Sequence, residues 1–359
     1  TNGIIHELAL QPDGEVILVG TFSRVQAGAF GHVARTHSDG SLDAAFAQAT
    51  GANERVERIL MQPDGRILLA GSFWGYDGRY CGRIARVLND GSWDPDFNPG
   101  YGVNSTVYDM ELLPDGRILI AGVFTSFDGA VRSNVAALLS DGSLDTAFDP
   151  DTIIGGWVSA LAVQPDGKVI IAGNFTTVGT ISRNGIARMN MDGTLDLTFD
   201  PGTGTPGVAD IALQPDGRIV LVGDFDSYNG APAGRVARID ADGSLDPTFT
   251  QGNSNNTNQP YRVVLQPDGK ILLGSNWPIY NGVSSGRITR LNNDGSIDLG
   301  FVVEDGPNGS VFDIAVQPDD RIVIVGYFSE VADVPLGRVA RLLPDGALDL
   351  TFDPGGGSP

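Results

Sequence analysis

The chain has 359 residues, and 44 acidic against 23 basic side chains give it a formal net charge of −21. This charge argues against nucleic acid and anionic membrane surfaces as partners, because both require clustered Lys and Arg. A single cysteine, Cys81, excludes a disulfide within the chain and a zinc site made of several thiolates. No apolar run approaches the roughly 18 residues of a spanning helix, so we expect no membrane insertion.

A short motif returns at nearly constant intervals along the chain. The tetrapeptide Gln-Pro-Asp-Gly, or a near copy of it, begins at Gln11, Gln62, Leu113, Gln164, Gln214, Gln266 and Gln317. Its third residue recurs at spacings of 51, 51, 51, 50, 52 and 51 residues. A fixed period of this length indicates an array of identical units and is closest to the blades of a propeller. The repeats run approximately over 1–51, 52–102, 103–153, 154–203, 204–255, 256–306 and 307–359.

The fifth repeat shows the predicted elements most clearly. In chain order they are a strand at 210–213, a turn at 214–217, a strand at 218–225, a loop at 226–234, a strand at 235–239, an Asp-Gly turn, and a short strand at 244–249. In the first turn Pro presets φ and Gly supplies the left-handed residue. The nearly continuous apolar second strand suits burial on both faces.

Four antiparallel strands in each of seven repeats predict an all-β fold, a single seven-bladed β-propeller over residues 1–359 with one blade per repeat. A ring is required because an isolated blade cannot bury its two apolar faces. Two ways of closing the ring remain open at this point. Either each repeat forms its own blade, or the two ends of the chain share one.

Three motifs follow each other in every repeat. They are Leu/Val-Gln-Pro-Asp-Gly-Arg/Lys-Ile with a later Gly-x-Phe, then Arg-Val/Ile-Ala-Arg, then Asp-Gly-Ser-Leu-Asp-x-x-Phe. In this order they resemble the delta-60 repeat family of bacterial β-propellers over essentially the whole chain. The resemblance implies an extracellular or bacterial cell-surface protein and no shared catalytic activity. It also implies that the strand before the first turn lines a central channel.

Candidate sites for catalysis and metal binding are weak. The three histidines, His6, His32 and His37, have no nucleophile motif beside them, and we expect surface or packing roles. No cofactor is expected. The run Asp240-x-Asp242-Gly-x-x-Asp246 has spacing similar to part of a calcium loop, which keeps calcium as an alternative. The competing interpretation pairs the last Asp of this motif with the recurring Arg across the hairpin. In the third repeat Ala137 replaces that Arg, so Asp145 is expected to lack this partner.

One position of the predicted channel-lining strand carries charges in six of the seven repeats. It lies four residues before each motif start and is occupied by Glu7, Arg58, Asp109, Ala160, Asp210, Arg262 and Asp313. In a ring these residues form one layer near a channel mouth. Two residues further on, Glu111 replaces the apolar residues of the other repeats. Because function often lies where a repeat is broken, a cation or polar-ligand site is one interpretation, and a solvated lining is the other.

Aromatic residues recur in the loop between the second and third predicted strands. They are Trp74, Tyr76, Tyr80, Phe127, Tyr228 and Tyr280. If exposed on one face, they suit stacking on sugar rings or anchoring of a protein; the alternative is that they cover the blade end. The leading hypothesis is therefore a non-catalytic extracellular binding or scaffold module for a glycan or protein. The alternatives are a self-assembling subunit of a bacterial surface layer or fibre, and a polysaccharide-active enzyme that uses Asp109 and Glu111.

Overall fold

The computed structural model of the chain describes residues 1–25, 28–29, 31–46, 50–252, 259–303 and 305–354, with 28–29 as backbone only. The predicted boundary at 255–256 between the fifth and sixth repeats lies outside these residues. Seven antiparallel sheets stand around a central channel, which confirms the all-β, seven-bladed propeller. Within the described ranges, no helix has the length and apolar character needed to cross a membrane.

Each blade has an inner, a middle and an outer strand, paired in that order. The inner strands are Ile5–Leu10, Val56–Met61, Val107–Leu112, Trp157–Val163, Val208–Leu213, Pro260–Leu265 and Ser310–Val316. The middle strands are Val16–Gly20, Ile67–Gly71, Ile118–Gly122, Val169–Asn174, Ile219–Gly223, Ile271–Ser275 and Ile322–Tyr327. The outer strands are Val33–Thr36, Ile84–Val87, Val135–Leu138, Ile186–Met189, Val236–Ile239, Ile288–Leu291 and Val339–Leu342.

The fourth strand predicted for each blade is reduced to one residue. Single bridges to the outer strand are made by Leu42, Trp93, Leu144, Leu195, Leu245, Ile297 and Leu348. The chain turns immediately afterwards because the next residue is an Asp that accepts hydrogen bonds locally. In the fifth blade, Asp246 Oδ1 accepts the Thr248 amide at 2.8 Å. Such a side-chain turn competes with continued strand pairing, so the prediction of four full strands is wrong.

The predicted loop between middle and outer strands is a small hairpin. Its arms are Arg24–Val25 with Gly28–Ala29, Gly75–Tyr76 with Arg79–Tyr80, Ser126–Phe127 with Ala130–Val131, Thr177–Val178 with Ile181–Ser182, Ser227–Tyr228 with Ala231–Pro232, Ile279–Tyr280 with Val283–Ser284, and Glu330–Val331 with Val334–Pro335. In blade four, Ile153–Ile154 adds a third arm. In blade five Asn229 and Gly230 both have positive φ, as a two-residue hairpin turn requires.

Apolar packing between neighbouring blades closes the ring. Core clusters combine residues of two adjacent blades, and one of them joins Leu18 of blade one to Val325 of blade seven. The inner, middle and outer strands of each blade come from one repeat, so the ring closes without a shared blade. The Asp353 amide also donates to the Asp39 carbonyl across the closure, at 2.9 Å. Each fully buried aliphatic side chain contributes about 1.5–3 kcal/mol, so the blade interfaces carry most of the stability.

Candidate functional site

Most of the hairpin aromatics point into the protein. Tyr76, Phe127, Tyr228 and Tyr280 are at most 3% exposed, so the prediction of an exposed aromatic face is wrong for these four. The hairpins fold back onto their own blades, where the Tyr76 hydroxyl donates to the Gly91 carbonyl at 2.7 Å. Tyr228 makes the same bond to the Gly243 carbonyl at 2.6 Å. These rings cover the blade ends, as the alternative interpretation expected.

Two of the predicted aromatics do remain exposed. Trp74 and Tyr80 are each 54% exposed, and the unpredicted Tyr101 is 77% exposed. The Tyr80 and Tyr101 rings meet edge to face at 6.4 Å. We name Trp74, Tyr80 and Tyr101 the rim patch. A ligand-binding role for it remains a prediction.

The recurring Asp at the end of each blade is bound by Arg, as the hairpin interpretation expected. The Arg Nε to Asp Oδ2 distances are 2.9 Å for Arg35–Asp43, 2.6 Å for Arg86–Asp94, 2.8 Å for Arg188–Asp196, and 2.7 Å for Arg238–Asp246, Arg290–Asp298 and Arg341–Asp349. In blade three, Arg117 Nη1 donates to Asp145 Oδ2 at 2.8 Å. Asp145 lacks the recurring Arg because Ala137 stands there, as expected, and Arg117, the residue after the Pro-Asp-Gly turn, supplies the cation instead.

The pairing of these carboxylates with Arg is relevant to the alternative that they bind calcium. Within the described ranges, no group of three or more His, Cys, Asp or Glu side chains lies together in a metal-binding arrangement. In blade five, Asp246 is already bound by Arg238 and by the Thr248 amide. Calcium binding remains a prediction.

The charged position of the inner strands forms a connected layer across the channel. We name this set the ionic layer: Glu7, Arg58, Asp109, Asp210, Arg262 and Asp313. Arg58 Nη1 donates to Glu7 Oε1 at 2.9 Å, and its Nε lies 3.1 Å from Asp109 Oδ1. Arg262 Nε lies 2.7 Å from Asp313 Oδ1, and its other nitrogens lie 3.7 Å from Asp210 and 3.8 Å from Glu7. Two arginines, from blades two and six, thus hold four carboxylates from four other blades.

The carboxylates of the ionic layer also fasten each blade to the next. Each accepts a backbone amide of the following blade: Leu8 to Asp313 at 2.9 Å, Ile59 to Glu7 at 2.5 Å, Leu161 to Asp109 at 2.6 Å and Val263 to Asp210 at 2.8 Å. All four acids are between 2% and 7% exposed. Buried carboxylates are stable only with such partners, so this layer is a structural element of the channel.

Burial sets the protonation behaviour of the layer. It raises the pKa of Glu7, Asp109 and Asp313 above the usual range, although Arg58 and Arg262 oppose the shift. Glu111 lies two residues beyond Asp109, among the apolar side chains of that level. Burial, with the Asp109 charge adding to it, raises the pKa of Glu111 to about 8. The described part of the chain offers its carboxylate no ion pair or hydrogen bond.

Glu111→Gln is expected to stabilise the protein increasingly as the pH rises above about 4.5. The unfolded glutamate loses its proton near a pKa of 4.5 and the folded one near 8, so wild-type stability should fall as pH rises between these values. The variant avoids this loss. Its free energy of unfolding should exceed that of the wild type by on the order of 2 kcal/mol at about pH 8.5 and match it at about pH 4.5.

Urea unfolding at both pH values measures this difference. Glu54→Gln serves as the control, because Glu54 is an exposed glutamate and should show no such dependence. An equal effect of Glu111→Gln at both pH values would show that Glu111 does not carry a raised pKa.

A second ring of residues, which sequence reasoning missed, lies beside the ionic layer. Every inner strand has a β-bulge at the same place, immediately before the ionic-layer position. The residues skipped in the pairing, here named the bulge ring, are His6, Glu57, Tyr108, Ser159, Ala209, Tyr261 and Phe312. Bulges redirect side chains and often adjoin functional sites. In this position they put a variable side chain from every blade at one mouth of the channel.

Part of the bulge ring is filled by stacked rings. His6 stacks on Phe312 at 6.0 Å between centroids, and Phe312 contacts Tyr261 at 4.9 Å. His6 Nδ1 also lies 3.5 Å from Glu57 Oε2. Burial, followed by the charge of Arg55, lowers the pKa of His6 to about 4, so this ring is uncharged at neutral pH. The stack closes the sector of blades six, seven and one.

The remaining sector of the same mouth is an open cavity of about 660 Å³. We name it the mouth cavity. Its walls include Glu57, Tyr108, Trp157, Asn174, Asp224 and Tyr261, from blades two to six. Its volume lies in the range of small-molecule sites, roughly 300–1,000 Å³. Aromatic walls with a few amide and carboxylate groups are the usual composition of such a site.

A signal for this ring was present in the sequence. One position before the ionic layer, the seven repeats carry His, Glu, Tyr, Ser, Ala, Tyr and Phe, with little in common in size or charge. The position immediately before it is Ile, Val or Pro in every repeat, and the position two residues after it is always apolar. The variation at this position of a regular repeat therefore marks the mouth of the channel.

Comparisons with known proteins agree on the fold. Doa1, through its WD40 β-propeller domain, is similar at 15% identity and a TM-score of 0.61, covering 95% of this chain and 92% of that one. YCF48 bound to D1 peptide is similar at 13% identity and a TM-score of 0.53, covering 91% and 89%. Puromycin hydrolase is similar at 18% identity and a TM-score of 0.58, covering 98% of this chain but only 54% of the hydrolase. They include a propeller with a bound peptide and an enzyme, so the fold alone does not select between binding and catalysis.

No curated protein matches the chain in sequence. A family model does match, described as a domain of unknown function (DUF5122) beta-propeller. It covers residues 11–46, 62–97, 113–148, 164–199, 214–249, 266–301 and 317–352. These seven matches coincide with the seven blades. The chain therefore belongs to the DUF5122 beta-propeller family.

Proposed function

We propose that the chain is a non-catalytic binding module whose ligand, a glycan or a protein segment, enters the mouth cavity. The observation that carries this proposal is the position of the cavity, at the level of the bulge ring, where the side chains differ between repeats. Rigid strands hold its walls, and Tyr108, Trp157 and Tyr261 offer ring faces to a ligand. Sites on such strands keep their geometry before a ligand arrives, which lowers the entropic cost of binding.

Of the two carboxylates suggested for catalysis, Asp109 has structural partners, which support a non-catalytic role. Asp109 accepts the Leu161 amide and contacts Arg58, so its oxygens are occupied. A protein ligand is compatible with the fold, since YCF48 is a propeller with a bound D1 peptide. We retain the delta-60 assignment of the repeats and an extracellular or cell-surface location as parts of the proposal. The surface-subunit and enzyme alternatives are predictions that no observation here favours.

The proposal is tested by screening the purified chain on a glycan array and a peptide array, with calcium and again with chelator. Binding to one ligand class is expected, and Tyr108→Ala in the mouth cavity should weaken it at least about tenfold. Tyr80→Ala in the rim patch is the matched control and should leave it unchanged. Loss of binding in Tyr80→Ala alone would place the site at the rim and overturn the assignment to the channel. Loss in chelator would support the calcium alternative.

A further inference from the structure

We propose that the mouth cavity binds the end of an uncharged glycan chain, which enters it end-on. This inference rests on the proposed function and adds the class of ligand and its direction of entry. Three observations carry it: the charges at the mouth are already paired, an ion-pair network lies directly below the cavity, and the nearby strand edges are occupied.

The acidic side chains of the cavity do not offer free charge. Arg55 Nε lies 2.5 Å from Glu57 Oε1, and Arg235 pairs with Asp224. A cationic ligand would have to share these carboxylates with the arginines. An anionic ligand would meet two carboxylates in a chain of net charge −21. The site therefore favours a neutral ligand, whose hydroxyl groups can donate to carboxylates that remain paired.

The walls fit a pyranose chain in shape and polarity. Tyr108, Trp157 and Tyr261 present flat apolar faces, and Asn174 and Gln259 present amides that can donate and accept. A sugar ring offers an apolar C–H face and a rim of hydroxyl groups, which this combination matches.

The ionic layer lies directly below the cavity, and we expect it to block passage through the channel. One residue further along each inner strand stands the ionic layer, where Arg58 links blades one and three and Arg262 reaches from blade six to Glu7 of blade one. On the other side of the mouth, the stack of His6, Phe312 and Tyr261 fills the opening. A ligand can therefore insert one end but cannot thread through, so chain ends should bind and chain interiors should not.

The strand edges next to the cavity are less suited to an extended peptide. Peptides that add to a sheet need free edge amides. Here the amides of Leu8, Ile59, Leu161 and Val263 already donate to the carboxylates of the ionic layer. Because these backbone amides are already occupied, the site favours a ligand that is bound by the protein's side chains, as a glycan can be.

The test uses defined neutral oligosaccharides of two to six residues from β-glucan, mannan and galactan, together with their uronic-acid counterparts. Titration calorimetry should show binding of at least one neutral series, with an affinity that stops rising after about two or three residues. Asn174→Ala should weaken it at least about tenfold. A longer chain blocked at both ends by cyclisation should not bind.

Several outcomes would overturn the inference. Preference for the charged series would contradict the neutral site, and affinity that keeps rising to six residues, or binding of the cyclic chain, would contradict end-on entry. Binding of peptides alone would reject the glycan class while leaving a binding module at the mouth intact. If no probe binds and no mouth variant alters any interaction on the arrays, the proposed function fails as well.

Discussion

Replacing Arg58 with methionine is expected to lower the free energy of unfolding by about 3–5 kcal/mol at neutral pH, because it leaves buried carboxylates without their cation. Arg58 bonds Glu7 at 2.9 Å and lies 3.1 Å from Asp109. Methionine matches the length of the side chain but cannot compensate either charge. Urea unfolding followed by circular dichroism measures the change.

The effect of Arg58→Met should shrink in acid. Burial raises the pKa of Glu7 and Asp109, so both carboxyls take up protons readily as the pH falls, and a protonated acid no longer needs the cation. Arg24→Met is the matched control, since Arg24 is exposed and its loss should change stability by less than about 0.5 kcal/mol. A destabilisation by Arg58→Met that is equal at about pH 5 and pH 8 would mean that it arises from packing alone.

The second large effect is expected where the ring closes. Arg341→Met should destabilise the protein by about 2–4 kcal/mol. Arg341 Nε donates to Asp349 at 2.7 Å, and its Nη1 donates to the Ser38 carbonyl of blade one at 2.8 Å. The same guanidinium lies 4.8 Å from the centre of the Phe352 ring. One side chain therefore ties the last blade to the first, and thermal unfolding should show a lowered Tm.

Arg321→Met provides a control on the same carboxylate. Arg321 contacts Asp349 from the solvent side, at 3.3 Å, with 39% of its side chain exposed, against 9% for Arg341. An exposed pair of this kind contributes less than about 1 kcal/mol. Equal losses in the two variants would indicate that the bond to Ser38 contributes nothing to closure.

The repeat predicts the fold because a propeller is a periodic structure. Spacing alone gave the number of blades, and the constant separation of Arg and Asp gave the hairpin pairs, such as Arg238 with Asp246. The fourth strand was over-predicted because a local hydrogen bond, from the Thr248 amide to Asp246, ends pairing after one residue. The alternation of apolar and polar residues in the sequence does not indicate such a turn.

The candidate site was harder to predict, for two physical reasons. The hairpin carrying Tyr76 and Tyr228 folds back onto its blade, and only tertiary structure shows that direction. The β-bulge shifts the register by one residue, so Tyr108 reaches the mouth although simple alternation assigns the neighbouring Asp109 to the channel. The ionic layer could be found in the sequence because its residue types are unusual at a buried position. The bulge ring could be found only from its variation between repeats.

The ionic layer and the bulge ring have different roles in the channel. Below, the ionic layer with Arg58 and Arg262 fastens the blades to one another and fixes the inner strands. Above, the bulge ring carries different side chains from repeat to repeat, and several of them also contact the neighbouring blade. A rigid base with variable walls is the arrangement in which a site can change its ligand without loss of the fold.

The most direct test of a binding site at the channel mouth compares Trp157→Ala with Trp74→Ala. Both tryptophans are partly exposed, but Trp157 lines the mouth cavity and Trp74 belongs to the rim patch. The measurement is the dissociation constant, by titration calorimetry, of the first ligand that the array screens identify. The account predicts at least about a tenfold weakening for Trp157→Ala and none for Trp74→Ala. Unchanged affinity in Trp157→Ala with loss in Trp74→Ala would contradict it and place the site on the rim.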